Sequence, residues 1–282
     1  MSHGWIKAAY RIALGEAAAY GLWWFLAHGR TSHPGLARLR GFRYAHRGLH
    51  DGTIPENSLT AFRRAVEHGC GAELDVRLTK DGRLAVMHDS SLKRMCGLDA
   101  RVENMTTEQL RELTLLDSDE PIPFLEDVLP LFESTTALVV EIKPSRGNHP
   151  ALTAATMECL DRHQLAYCVE SFDPRVLAWL RIHRPDVVRG QLTENFFRDR
   201  ASHLPTLLRL LLTHLLGNVA ARPDFIAEKF EDRRGWSHRL CCERWGVQGA
   251  YWTIRSPEDQ AIAEADDHMV IFEGYMPGDD KP

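Results

Sequence analysis

The sequence predicts an α/β chain folded as a TIM-type (β/α)8 barrel, with a helix ahead of it and an inserted subdomain after the second strand. Two observations carry that prediction. Short apolar runs recur along the chain, and several carry charged residues at or near their C-terminal ends: Tyr44-Ala45-His46-Arg47-Gly48, Ala72-Glu73-Leu74-Asp75-Val76, Leu84-Ala85-Val86-Met87-His88-Asp89 and Leu138-Val139-Val140-Glu141-Ile142-Lys143. Parallel α/β barrels build their sites at the C-terminal ends of their strands. The second observation is a count. Setting aside the run at 84–88, eight candidate strands remain, at 42–46, 72–76, 137–143, 166–171, 187–192, 224–229, 249–254 and 269–273, the number a closed barrel needs. A chain of 282 residues suits one such barrel plus an appendage.

Composition narrows the function classes. A net charge of −5 and a pI near 6.3 argue against a dedicated nucleic-acid binder, which carries a basic face. Six cysteines lie at 70, 96, 159, 168, 241 and 242, with no Cys-x-x-Cys pair. On that ground a zinc or redox site is not expected, and reduced thiols in a cytoplasmic setting are.

Taken in order, residues 1–30 form an N-terminal aromatic and hydrophobic segment, with a helix expected over 5–28 and Gly29 as its stop. Its uncharged core, Ala17 to Ala27, spans 11 residues, whereas a membrane-spanning helix wants about 20. Tyr20 and Trp23-Trp24-Phe25 suit a membrane interface, so the helix is expected either to pack on the barrel or to make peripheral membrane contact. Residues 31–41 read as a linker and 42–282 as the barrel. Pro55-Glu56-Asn57-Ser58 opens a helix in which Leu59, Phe62, Ala65 and Val66 repeat at helical spacing. Asp81-Gly82 between apolar runs marks a hairpin, and no helix fits between Val76 and Leu84. The run at 84–88 is therefore an antiparallel return that brings His88 to the barrel mouth. Residues 90–136 form the inserted segment. Beyond it, Glu170, Gln191 and Lys229 stand at strand ends as weaker polar candidates, and the leucine-rich run 207–216 is expected to be a buried flanking helix.

The chemistry centres on Glu73 and Asp75. Strand side chains alternate, so the two carboxylates project to one face while Leu74 and Val76 take the other. Two like charges so close repel unless a cation lies between them, and oxygen donors on a rigid strand suit a hard ion such as Mg2+ or Ca2+. With Glu141, His46, His88, Arg47 and Lys143 on neighbouring strand ends, the set reads as a phosphoryl site.

These residues carry a resemblance. His46-Arg47-Gly48, Pro55-Glu56-Asn57-Ser58, Glu73-Leu74-Asp75-Val76, Thr79-Lys80-Asp81-Gly82, His88-Asp89, Glu141-Ile142-Lys143, Ser171-Phe172 and Trp252-Thr253 stand in the order found in the glycerophosphodiester phosphodiesterase family, which the chain resembles from about residue 42 onward. The resemblance implies metal-dependent hydrolysis of a small-molecule glycerophosphodiester to glycerol 3-phosphate and an alcohol. It implies one divalent cation on Glu73, Asp75 and Glu141, phosphate held by Arg47 and Lys143, Trp252 beside the glycerol carbons, and His46 and His88 as base and acid, in that order or the reverse. It also implies that the glycerol 2-hydroxyl attacks first, through a cyclic phosphate. Two places depart from the family pattern: Ile254-Arg255 follows Trp252-Thr253 where Asn is usual, and the last strand ends Phe272-Glu273 in place of Thr-Asp. The competing readings are a lysophospholipase D working at a membrane and a barrel that binds phosphorylated ligands without turnover.

Overall fold

The computed structural model describes residues 2–198 and 204–278. The outer limits of the expected helical segment, at residue 1, and of the expected barrel, at residue 282, lie outside them. The chain runs α1 (Ser2–Ala27), a 3-10 turn (Pro34–Arg38), β1 (Arg43–Ala45), α2 (Leu59–Glu67), β2 (Gly71–Leu78) and β3 (Leu84–Val86). Three short helices follow, α3 (Lys93–Cys96), α4 (Thr107–Arg111) and α5 (Leu125–Val128), before β4 (Ala137–Ile142). Then come α6 (His149–Leu160), β5 (Ala166–Ser171), α7 (Pro174–His183), β6 (Arg189–Thr193), α8 (Thr206–Thr213) and α9 (Asn218–Ala221). The chain closes with β7 (Phe225–Lys229), α10 (Trp236–Arg239), β8 (Gln248–Ile254), α11 (Pro257–Ala265) and β9 (Met269–Phe272).

Among the described residues, eight parallel strands adjoin in the order β1-β9-β8-β7-β6-β5-β4-β2, and β1 pairs with β2 to close the ring. Each falls on one of the eight runs picked out in the sequence. β3 instead pairs antiparallel with β2, Val76 opposite Val86 and Leu78 opposite Leu84, as the Asp81-Gly82 turn requires.

Alternation sorts the side chains. From β2 and β4, Leu74, Val76, Leu138, Val140 and Ile142 point outward and are buried with Leu125, Val128 and Leu152. Inside the barrel, Tyr44, Val139, Cys168, Phe225, Ala250 and Ile271 fill the lower layer. Leu36 and Leu39 join that inner cluster, and Tyr44 Oη donates to Leu39 O at 2.6 Å. Residues 31–41, read from sequence as a linker, thus supply a plug for the barrel floor. The segment after β3 has a core of its own, in which Met87, Leu92, Met95, Val102, Leu110 and Phe124 meet.

Two helices depart from expectation. The leucine run does form α8, but none of that helix's residues is buried, and Leu207 is 69% exposed. Leucines at 207, 208, 210, 211 and 212 spread over an arc of about 200°, wider than one packing surface covers, with Thr206, Arg209 and Thr213 on the remaining face; Leu215, beyond the helix end, is the one buried. Among the described residues, α1 packs on the barrel through its C-terminal end. Ala27 is buried with Leu215, Ile226, Cys241 and Val247, Asn218 Nδ2 donates to Ala27 O at 2.6 Å, and Arg30 Nη2 donates to Asp224 at 2.8 Å. Further out, Tyr10, Ile12, Leu14, Leu22 and Trp24 are exposed. Among the described residues, no helix is long and apolar enough to cross a membrane.

Candidate active site

His46 follows β1 directly, and its N–H donates to Phe272 O at 2.8 Å, extending the pairing with β9 by one residue. The chain then turns sharply, with Arg47 at φ 55° and Gly48 at φ 80°. A Cβ on Gly48 would lie 2.8 Å from Ala61 Cβ, so both its backbone angle and its surroundings require glycine. This turn aims the Arg47 N–H at Glu73 Oε2, 3.0 Å away. His46 Nδ1–H donates to Glu273 Oε2 at 2.6 Å, which leaves Nε2 facing the cavity, 4.0 Å from Glu73 Oε2. Burial lowers the His46 pKa, and Glu273 opposes the fall.

Glu73 and Asp75 project inward from β2, and Glu141 projects inward from β4 as the register partner of Asp75. One oxygen from each carboxylate lies within 4.8 Å of the other two. All three groups are buried. Burial, then the charges of Asp75 and Glu141, push the Glu73 pKa well up. Burial first, and Asp75 after it, raise Glu141 to about 7 against the pull of Lys143. Burial acts to raise Asp75 as well, but Lys143, His88, Arg47 and Asn57 together hold it below its ordinary value. Glu73 Oε1 and Asp75 Oδ1 are buried without a hydrogen-bond partner; Lys143 Nζ approaches Asp75 Oδ1 to 3.2 Å but is not aligned for one. Three convergent carboxylates with two orphaned oxygens fit a hard divalent cation.

The cations frame this cluster. Lys143 Nζ donates to Glu141 Oε1 at 2.7 Å. Arg47 Nη1 donates to Glu56 Oε1 at 3.0 Å, and its Nε stands 3.6 Å from Asp75 Oδ2. Opposite them, the β2–β3 hairpin delivers His88. Met87 N–H donates to Asp75 O at 3.0 Å, and Arg77 Nε donates to His88 O at 2.9 Å. His88 Nδ1–H donates to Asp89 Oδ1 at 2.7 Å. Burial brings the His88 imidazole down to about 4. Trp252 Nε1–H donates to Ala227 O at 3.0 Å, and its ring meets Phe172 edge-to-face at 5.6 Å. His46, Arg47, Glu73, His88, Lys143 and Trp252 all line one cavity of about 320 Å³, and Glu141 lines it too. The structure therefore brings together all eight residues singled out from the sequence, Asp75 beneath the cavity wall.

Three further residues belong to this cluster. Asn57 Nδ2 donates to Asp75 Oδ2 at 2.8 Å, while its neighbour Ser58 caps α2. Capping accounted for the Pro55–Ser58 group in the sequence, and the second role of Asn57 carried no separate signal. Glu273, visible only as a departure from a family pattern, is the His46 partner. Glu56 pairs with Arg47 and also accepts from Arg94 Nη2 at 2.7 Å; Arg94 Nε in turn donates to Asp89 at 2.6 Å. Of the weaker candidates, Glu170 and Lys229 line the cavity, and Lys229 pairs with Glu194 at 3.0 Å. Gln191 is buried and donates to Ser171 O at 3.1 Å.

Comparison with known proteins now bears on this geometry. A family model described as the glycerophosphoryl diester phosphodiesterase family matches residues 46–267. Over 257 residues the chain is 38% identical to glycerophosphodiester phosphodiesterase 1 of Rattus norvegicus, covering 78% of this chain and 74% of that one. Over 175 residues it is 34% identical to a glycerophosphodiester phosphodiesterase of Bacillus altitudinis, covering 58% of this chain and 71% of that one. Its fold is similar to that of an Oleispira antarctica phosphodiesterase solved in complex with the product sn-glycerol-3-phosphate, with a TM-score of 0.69, 22% identity, and 85% and 94% of the two chains covered. A glycerophosphodiester phosphodiesterase from Thermotoga maritima matches with a TM-score of 0.63 at 25% identity, over 82% of this chain and 93% of that one.

Proposed function

The chain belongs to the glycerophosphoryl diester phosphodiesterase family and is a phosphoric diester hydrolase of that class, and we propose that it cleaves glycerophosphodiesters by acid–base catalysis with His46 and His88 around a divalent cation. One observation carries the reading. Two histidines, each tied through Nδ1 to a carboxylate, face a single cavity across three buried carboxylates.

Glu73, Asp75 and Glu141 would hold the cation, Mg2+ or Ca2+ by the all-oxygen donor set. When bound, the cation supplies positive charge for a phosphate oxygen and acidity for a nearby hydroxyl. Arg47 takes phosphate oxygens with its fork and Lys143 with a point charge. Trp252 and Phe172 give the glycerol carbons an apolar wall. His46 Nε2 takes the proton of the glycerol 2-hydroxyl as that oxygen attacks phosphorus. His88 Nε2, which takes up a proton against the effect of burial when the anionic diester is bound, gives it to the departing alcohol oxygen, leaving a cyclic phosphate. His88, now neutral, takes a proton from the water that opens the ring, and His46 returns its proton to the 2-oxygen. Both imidazoles end as they began.

The test is release of sn-glycerol 3-phosphate from glycerophosphodiesters, with and without chelator. Glu73→Gln and Asp75→Asn are expected to abolish release; Glu73→Gln keeps the fold, because removing its charge relieves repulsion in the cation-free cluster, whereas Asp75→Asn also gives up the attraction of Lys143 and Arg47 and lowers the melting temperature. Near-normal turnover in either variant with excess Mg2+ or Ca2+ overturns the ligand assignment. A barrel that binds the diester without product release is the non-catalytic alternative.

A second reading has its own observation. The exposed apolar residues of α1, Tyr10 to Phe25, suit contact with a membrane surface, where lysophospholipids would be the substrate. All six cysteines are free thiols, which suits a cytoplasmic location. A panel of water-soluble glycerophosphodiesters against lysophospholipids in vesicles separates the two substrate classes.

A further inference from the structure

A second group of ligand atoms lies outside the barrel mouth. His238 and Cys242 stand four residues apart on α10 and the π-helical turn that continues it, Leu240–Arg244. His268 stands immediately before β9. One ligand atom from each of the three lies within 4.8 Å of the other two. His238 Nε2 and His268 Nε2 are 3.1 Å apart, and Cys242 Sγ is 3.8 Å from His238 Nδ1. Two nitrogens bound to one tetrahedral zinc, each at about 2.0–2.1 Å, stand about 3.3 Å from each other.

The surroundings are those of a built site. His268 Nδ1–H donates to Asp266 O at 2.6 Å, which fixes the tautomer and leaves Nε2 with a free lone pair. Outer partners of this kind orient metal-ligating imidazoles. Glu228 Oε2, buried 3.6 Å from His238 Nδ1, is placed to do the same for the second ring. Gly249 makes room: a Cβ there would fall 2.0 Å from the His268 ring, and Tyr251 stacks on that ring at 4.4 Å. A cavity of about 450 Å³, lined by Cys242, Gly249 and His268, gives an ion a way in.

We propose that His238, Cys242 and His268 bind a borderline-soft transition-metal ion, Zn2+, at a site separate from the carboxylate cluster of the mouth. Thiolate and imidazole select such an ion, whereas carboxylates alone favour Mg2+ or Ca2+. Binding releases the Cys242 thiol proton to solvent. The fourth ligand is water from the cavity. The ion ties the β7–β8 connection to the start of β9. The absence of a Cys-x-x-Cys pair argued against zinc in the sequence; here the third ligand is remote along the chain, so no local motif betrays the set. The competing account is a metal-free relay, Cys242 S–H to His238, His238 Nε2–H to His268, and His268 Nδ1–H to Asp266 O.

Cobalt titration decides between them. The reduced, chelator-stripped, full-length protein is titrated with Co2+ and followed in the near ultraviolet for thiolate-to-cobalt charge transfer. The mouth has no thiol and cannot give this band. The expected result is a band that saturates at one equivalent, is displaced by Zn2+, survives in Cys241→Ser and is lost in Cys242→Ser. His268→Gln is expected to weaken cobalt binding by at least the about 10–100-fold that loss of an outer partner costs. No band in the folded wild-type protein, or a band that Cys242→Ser retains, overturns the proposal. The wild-type titration and His268→Gln decide the matter even where Cys242→Ser fails to fold.

Discussion

Gly48 shows how much one absent methyl group can govern. A left-handed backbone costs a non-glycine residue about 1–2 kcal/mol, and here the added carbon would also press on α2 through Ala61. Gly48→Ala is expected to lower stability by at least that amount in denaturant titrations, and to lower kcat/KM further by moving the Arg47 N–H off Glu73. The histidines carry a different expectation. General acid–base groups contribute about 10²–10⁴-fold each, so His46→Ala and His88→Ala should each lose turnover on that scale. A nitrophenyl ester needs little protonation on leaving; it should rescue His88→Ala and not His46→Ala, and the opposite result swaps the two roles. pH gives a third handle on His88. Its folded pKa, about 4, lies below the ordinary 6.5. Between those values the unfolded chain holds a proton that the folded chain lacks, so the chelated protein loses stability as pH falls through that window. His88→Asn should flatten the slope of melting temperature against pH from 7 to 4. An unchanged slope would remove His88 as its source. Glu273, drawn down to about 2 by the bond from His46, stays ionised in the folded protein, but its unfolded counterpart takes up a proton near 4.5, so it adds to the slope only at the acid end of this range.

The elements differ in how plainly the sequence announces them. β2 and β4 are legible because period-two alternation with charge on one face leaves little else for Glu73, Asp75 and Glu141 to be. The hairpin is legible because only seven residues lie between Val76 and Leu84, too few for a crossover helix. The floor plug is not: Leu36 and Leu39 lie among Pro34, Gly35 and several arginines, and nothing local says that a barrel interior awaits them. α8 misleads for the opposite reason, its leucines spreading over a wider arc than the barrel covers. Asn57 and Glu273 lay hidden because their partners, Asp75 and His46, meet them only across the closed ring. Two experiments separate structural from peripheral elements. Leu39→Ala, which empties part of the inner cluster, is expected to cost about 2–5 kcal/mol in unfolding measurements. Removing residues 1–19, ahead of the Tyr20–Trp245 contact, should leave the melting temperature and the turnover of soluble diesters near wild type. If that truncation also abolishes sedimentation with lipid vesicles, α1 is the membrane contact; unchanged sedimentation excludes it.

Across the whole molecule, the two histidines ride on separate carriers, the β1–α2 turn and the β2–β3 hairpin, and a chain of charges joins them. Asp89, Arg94, Glu56 and Arg47 follow one another from His88 back to the turn beside His46. The two halves of the site are thereby held in register from outside the cavity as well as by the strands beneath it. Below them the floor is shut. With Leu36 and Leu39 lodged among the inward side chains of the lower layer, the described residues close the floor and leave the mouth as the doorway, so traffic through it must take turns. On the proposed mechanism the alcohol would leave past the incoming water, while glycerol phosphate, held by Arg47 and Lys143, would depart last and by the route the next diester needs. Glycerol phosphate should therefore inhibit competitively against the diester, raising KM and sparing kcat, whereas the free alcohol should inhibit weakly. A mixed pattern with glycerol phosphate would mean that a second passage opens during turnover.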